Sequence, residues 1–345
     1  MGSEMLLTLE AAFDMEEVIL RVRNLRTYFF TRRGITKAVD GIDFDLVKGE
    51  CLCLVGESGC GKTVTALSIL GLIDSPPGRI VDGEIHYDNI DLVKCPRDRM
   101  RHIRGKEIAM IFQDAQSALN PVFTIGNQIV EQIKLHSEVN NREAREKAIS
   151  LLKEVGIPSP EKAADYYPHQ LSGGMKQRAM IAMSLSCDPQ ILIADEPTTA
   201  VDVTIKAQIL DIFQRLKNTR QISLLFITHE LGVVSEIGDR VVVMYAGRLA
   251  ETATVLEVLT NPIFQHPYTA SLIKCLPDMT EERERLESIP GTVPSLIDPP
   301  SGCLFHPRCA KAMAVCREEK PPPVTVTRGH TVFCHLYSRR GYVEP

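Results

Sequence analysis

The sequence predicts an α/β fold: a parallel sheet whose strands lead into helices, antiparallel strands beside it, and an inserted helical block. Three observations predict it. Five apolar runs of strand length, at residues 51–55, 108–112, 191–194, 224–227 and 241–245, have the composition of strands buried on both faces. Residues 18–47 alternate instead, with Val18, Leu20 and Val22 and then Ile42, Phe44 and Leu46 at strand period. From Thr124 to about Leu185 the apolar period becomes helical. A Cys-rich stretch beyond residue 276 stands apart as a small C-terminal extension.

Composition narrows the function classes. A chain of 345 residues has room for a large core, and its apolar fraction of 44% is that of a globular protein. The net charge of −5 argues against a general nucleic-acid surface. No apolar run reaches the length of a membrane span. Residues 1–17 are acidic, lack the basic start of a secretory signal, and form an N-terminal tail without an assigned role. The expectation is a reducing compartment, where ten cysteines are read as buried thiols or metal ligands rather than disulfides.

Taken in order, the first strands carry Tyr28 and Phe29 ahead of a basic turn. Either aromatic offers a face for an adenine ring, and Phe29 is the choice over Tyr28. Next comes Gly56-Glu57-Ser58-Gly59-Cys60-Gly61-Lys62-Thr63, which matches the phosphate-binding pattern G-x-x-x-x-G-K-[ST]. It lies between the buried run Cys51–Val55 and a helical stripe containing Ala66, Leu67 and Leu70. In that context, backbone N–H groups and the helix N-terminus cradle phosphate oxygens. Lys62 reaches the β- and γ-phosphates of a nucleotide, and the Thr63 hydroxyl holds Mg²⁺.

Residues 83–93 read as a short strand pair, and the run 108–112 ends at Gln113, whose amide is placed to hold Mg²⁺ or position a water. The helical block closes with Leu171-Ser172-Gly173-Gly174-Met175. A serine and two glycines opening a helix make a second anion seat. Two seats this far apart in sequence suggest that each holds one end of a nucleotide between two subunits. The run 191–194 ends in Asp195-Glu196, two carboxylates that face different ways. Asp195 takes the metal role and Glu196 the general-base role. The turn Thr199-Ala200-Val201-Asp202 follows, and the run 224–227 ends at Thr228-His229, where open α/β sheets place ligands. Helices near 254–260 and 268–276 complete the domain.

Together, the phosphate loop, Gln113, the Leu171–Met175 stretch, Asp195-Glu196, the turn ending in Asp202, and His229 resemble the ATP-binding-cassette ATPases over residues 18–276. The resemblance implies a RecA-like core with an antiparallel β subdomain and a helical subdomain at about 115–185. It also implies head-to-tail pairing with a homologous ATPase subunit, each ATP lying between Lys62 of one chain and Ser172 of the other. The signature commonly has Gln where this chain has Met175. More closely, the stretch from Asp195 to Ile205, His266-Pro267-Tyr268-Thr269, and the proline-rich segment around Ile289 to Cys309 are similar to ATPase subunits of dipeptide and oligopeptide importers. That resemblance implies peptide uptake through two transmembrane permease subunits, an extracytoplasmic peptide-binding protein, and a place on the cytoplasmic face of the membrane. Nickel or other small-solute importers would share nearly every motif. Soluble cassette proteins of DNA repair or translation would be expected to carry two cassettes or strong basic stretches.

The tail, residues 277–345, opens with charges at 281–287 and continues with Pro290, Pro294, Pro299 and Pro300. It is too poor in large apolar residues to hold itself together without a staple. Cys303, Cys309, Cys316 and Cys334, spaced C-x5-C-x6-C-x17-C, offer one. Four thiolates suit Zn²⁺ or an iron–sulfur cluster. The long separations favour a 4Fe–4S cluster, which the resembled subunits carry, with Zn²⁺ as the alternative. The expectation is a tail that folds beyond a complete cassette and takes no part in the nucleotide site.

Overall fold

The computed structural model describes residues 17–199, 201–275 and 289–338. Two sheets organise them. An antiparallel sheet of order β2-β1-β4-β5 is made by β1 (Val18–Thr31), β2 (Gly34–Val47), β4 (Gly78–Tyr87) and β5 (Ile90–Asp91). The second sheet has eight strands, in the order β11-β12-β10-β9-β3-β8-β7-β6. Its parallel part is β9 (Arg240–Tyr245), β3 (Cys51–Val55), β8 (Ser223–Thr228), β7 (Ile191–Asp195) and β6 (Ile108–Ile111). These are the five apolar runs.

Alternation along β3 shows how the layers form. All five of its residues are buried. Cys51, Cys53 and Val55 face a core shared with the helical block, and Leu52 and Leu54 face a core shared with the antiparallel sheet. A strand enclosed on both faces must be apolar throughout, which is why this run lacks a polar alternation.

The helices, in chain order, are α1 (Lys62–Ile69), α2 (Arg97–Ile103), α3 (Ala115–Ala118), α4 (Ile125–His136), α5 (Asn141–Glu154), α6 (Pro160–Ala163), α7 (Gly173–Ser184), α8 (Val203–Arg220), α9 (Leu231–Ile237), α10 (Val255–Thr260), α11 (Pro267–Lys274), α12 (Val315–Glu318) and α13 (His335–Ser338). In the inserted block, Ile125, Ile129 and Ile133 of α4 and Ala144, Ala148, Leu151 and Leu152 of α5 share one core. Thr124 caps α4, and Asn140 with Glu143 forms a capping box on α5. Among the described residues, no helix is long and apolar enough to cross a membrane.

The extension differs from the expected separate tail. β10 (Arg248–Thr254) turns back antiparallel on β9, and β12 (His330–Phe333) and β11 (Pro323–Thr327) continue the same sheet. Across that junction, buried Glu251 of β10 receives two hydrogen bonds' worth of contact: its Oε1 lies 2.8 Å from His330 Nε2, and its Oε2 accepts the His266 N–H at 2.8 Å. The Tyr337 hydroxyl donates to the Gln265 carbonyl at 2.7 Å. A small segment with little core of its own gains order by adding strands to an existing edge. The charged stretch 281–287 lies outside the described residues.

Candidate functional site

Four site segments leave the C-terminal ends of parallel strands, where an open α/β sheet forms its ligand crevice. The loop 56–61 follows β3, Gln113 follows β6, Glu196 follows β7, and His229 follows β8. Local backbone supports this crowding. Gly61 has φ +105°, and a side chain there would meet the Ala38 carbonyl at 2.3 Å, so only glycine passes. Lys62 is buried, and its Nζ donates to the Gly56 and Glu57 carbonyls at 2.8 and 3.1 Å, pointing back into the loop. Cys60 packs beneath the loop, where burial raises its thiol pKa. Ser58 and Gly59 lie on the loop's exposed side.

Two clusters form around the carboxylates. The Thr63 hydroxyl donates to Asp195 Oδ1 at 3.2 Å, which puts the two expected Mg²⁺ groups side by side. Asp195 is buried, and desolvation raises its pKa. Its neighbour is turned away by a left-handed backbone, Glu196 having φ +46°. Glu196 Oε2 accepts from Gln113 Nε2 and from the Thr199 hydroxyl, both at 3.1 Å, and lies 3.2 Å from His229 Nδ1. Its other oxygen is 3.9 Å from Lys62 Nζ. Glu196 is therefore the hub of the site. The Gln113 amide is hydrogen-bonded to Glu196 rather than to the Thr63–Asp195 pair.

The remaining expected residues serve local structure here. The Ser172 hydroxyl accepts from the Met175 N–H at 3.3 Å and opens α7, with Gly173 and Gly174 as its first residues. Asp202 caps α8 by accepting from the Ile205 N–H at 3.0 Å. Phe29 is half-buried; a side chain at Gly78 would meet its ring at 2.8 Å. Tyr28 is committed elsewhere, donating to Asp40 at 2.6 Å, with its pKa pushed up to about 12 by burial. Ala200 lies outside the described residues.

Three contacts at the site escaped sequence reasoning. Thr199 binds Glu196. The Tyr268 hydroxyl accepts the Glu57 N–H at 2.9 Å. Arg308, from the extension, grips the Glu57 carboxylate with bonds of 2.8 and 3.2 Å. Tyr268 and Arg308 belong to segments whose only sequence signal is their likeness to importer subunits. The extension thus touches the phosphate loop directly.

Among the described residues, no group of three or more His, Cys, Asp or Glu is disposed to hold a metal ion. The four tail cysteines are nonetheless neighbours. Burial raises the pKa of the Cys303, Cys309 and Cys334 thiols, the last to about 12, and the charges of the other thiols add to each shift. The Cys303 N–H also donates to the Cys316 carbonyl at 2.8 Å. His306 bonds the Cys303 carbonyl and His335 the Glu319 carbonyl, so both rings are occupied locally.

A phosphate loop, a Thr–Asp pair beside it and a glutamate held by His and Gln at the ends of parallel strands define a nucleotide-hydrolysing cassette. The chain belongs to the ATP-binding-cassette transporter ATPases. Residues 39–199 match the ABC transporter family, and residues 250–316 match the oligopeptide/dipeptide transporter C-terminal region. The oligopeptide transport ATP-binding protein AppD of Bacillus subtilis is 48% identical, across 94% of this chain and 98% of its own length. The dipeptide transport ATP-binding protein DppD of Escherichia coli is 44% identical, across 92% and 96%. Among solved structures, a dimeric post-hydrolysis state of the cassette MJ0796, bound to ADP and phosphate, superposes with a TM-score of 0.62 at 25% identity, covering 68% of this chain and 98% of that one.

Proposed function

We propose that this chain binds and hydrolyses ATP as one of two ATPase subunits of a dipeptide or oligopeptide importer. The contact set of Glu196 carries the chemical reading. Gln113, Thr199 and His229 hold a carboxylate at a strand end beside the phosphate loop, as in-line attack of water on a γ-phosphate requires. Glu196 takes the water's proton and His229 fixes its orientation. Lys62 neutralises the charge that develops on the phosphate oxygens. Thr63 and Asp195 hold Mg²⁺, with Gln113 joining through its amide when the site closes. Gly56 to Gly61 wrap the phosphates, and Phe29 stacks on the adenine.

Ser172, Gly173 and Gly174 open α7 in an exposed segment. This supports their role as the second seat, contributed to the ATP of a homologous partner, with Asp202 close to the junction. The dimeric state of MJ0796 supports the same arrangement. Two transmembrane permease subunits receive the motion, and an extracytoplasmic binding protein delivers the peptide, so the chain works at the cytoplasmic face of the membrane. A groove lined by Leu72, Arg104, Phe112, Leu135 and His136 lies between the core and the helical block, where exposed Phe112 and Leu135 suit a docking permease segment. The domain division follows: residues 18–276 form the nucleotide-binding unit, the block near 115–185 its moving lobe, and 277–345 the extension. In that extension Cys303, Cys309, Cys316 and Cys334 hold a 4Fe–4S cluster, Zn²⁺ being the alternative. The nearness of the thiols supports this reading, since the charges of Cys303, Cys309 and Cys316 all act on Cys334. Such a cluster supplies a staple.

Peptide uptake by membranes carrying the complete transporter tests the reading. Lys62→Ala abolishes both ATP binding and uptake. Full uptake with that variant would exclude this chain as the motor.

A further inference from the structure

The phosphate loop of this chain carries its own negative charge. Glu57 is the loop's second residue, and its carboxylate lies in the segment that receives a polyanionic triphosphate. The extension supplies the matching cation. Arg308 is buried to 6% side-chain exposure, and its fork is bidentate: Nη1 donates to Glu57 Oε2 at 2.8 Å and Nη2 to Oε1 at 3.2 Å. The remaining donors are used as well. Nε donates to the Pro290 carbonyl at 2.9 Å, Nη2 to the Ile289 carbonyl at 3.3 Å, and Nη1 to the Tyr245 hydroxyl at 3.3 Å. A planar guanidinium with all its donors engaged is rigidly oriented. The Glu57 backbone is held separately, through the Tyr268 hydroxyl and Lys62.

We propose that Arg308 is a positioning residue for the ATP site: it cancels and immobilises the Glu57 carboxylate, and so couples the order of the C-terminal extension to nucleotide affinity. The inference rests on the ATP-binding role of the loop. Arg308 directly precedes Cys309, so whatever orders the four-cysteine segment also sets the position of the guanidinium. Without that cation, the Glu57 charge stands uncompensated in the phosphate loop and repels the phosphates, because a charge that loses its buried partner keeps its desolvation cost and its field. A purely structural staple would lack this sign dependence: deleting the arginine would loosen the tail, and neutralising the glutamate would not repair it.

Equilibrium binding of a fluorescent ATP analogue with Mg²⁺ to the full chain, with thermal unfolding measured in parallel, tests the proposal. Arg308→Ala weakens binding by about tenfold or more. Adding Glu57→Gln in that background restores most of the affinity, because the repelling charge is gone. Arg308→Lys, which keeps a charge but loses the fork, falls between wild type and Arg308→Ala. It serves where the alanine variant does not fold, and Glu57→Gln then raises its affinity too. Wild-type affinity in a folded Arg308→Ala chain, or no recovery on adding Glu57→Gln, would overturn the proposal. Absence of binding by the wild-type chain would instead overturn the ATPase reading.

Discussion

His229 Nδ1 lies 3.2 Å from Glu196 Oε2, the same oxygen that receives the Gln113 amide and the Thr199 hydroxyl. Three groups from three different chain segments converge on one carboxylate oxygen, leaving the other directed toward Lys62. A lone acid at a strand end would sample several rotamers, and this one is held. His229→Ala accordingly lowers the turnover number by roughly 10²-fold while the ATP concentration for half-saturation changes little. Steady-state hydrolysis by the complete transporter checks this. A change confined to half-saturation would place His229 in binding instead.

A second prediction concerns pH. His266 is buried, its Nδ1 accepts the Tyr268 N–H at 3.0 Å, and burial lowers its pKa to about 4. An unfolded histidine titrates near ~6.5. The folded chain resists this proton more strongly than the unfolded chain does. The resulting stability is complete above about pH 6.5 and is lost progressively as the pH falls toward about 4, on the order of 3 kcal/mol in total. His266→Asn keeps an acceptor at the start of α11 but does not titrate. The wild-type melting temperature therefore falls more steeply than the variant's across that window. Parallel curves would contradict the account.

The cysteine segment gives a third. Chain purified without oxygen is brown and carries about four irons and about four acid-labile sulfides. Cys309→Ser bleaches it and makes the described part of the extension protease-sensitive. Stoichiometric zinc without labile sulfide would put Zn²⁺ in place of the cluster.

Much of this fold was legible because buried parallel strands leave unbroken apolar runs. The runs at 51–55, 108–112, 191–194, 224–227 and 241–245 became β3, β6, β7, β8 and β9. The candidate site residues stand out in the sequence because phosphate chemistry demands glycines, a lysine and paired carboxylates at fixed places. β10 to β12 do not. Arg248–Thr254 mixes charged and small residues, and the partners of buried Glu251, His266 and His330, lie 15 and 79 positions away. Arg308 was invisible for the same reason: its partner Glu57 lies 251 positions earlier, and no local pattern encodes such a pairing. The left-handed Glu196 was hidden too, because φ +46° on a glutamate is a consequence of tertiary packing rather than of residue type.

We propose Glu196 as the base that activates water against the γ-phosphate. Single-turnover hydrolysis by the assembled transporter carrying Glu196→Gln, with ATP binding measured on the same preparation, tests it most directly. An amide oxygen keeps the acceptor for Gln113, Thr199 and His229 but cannot take the proton. ATP binding is retained and hydrolysis slows by about 10²–10⁴-fold. Hydrolysis near the wild-type rate in that variant would contradict it.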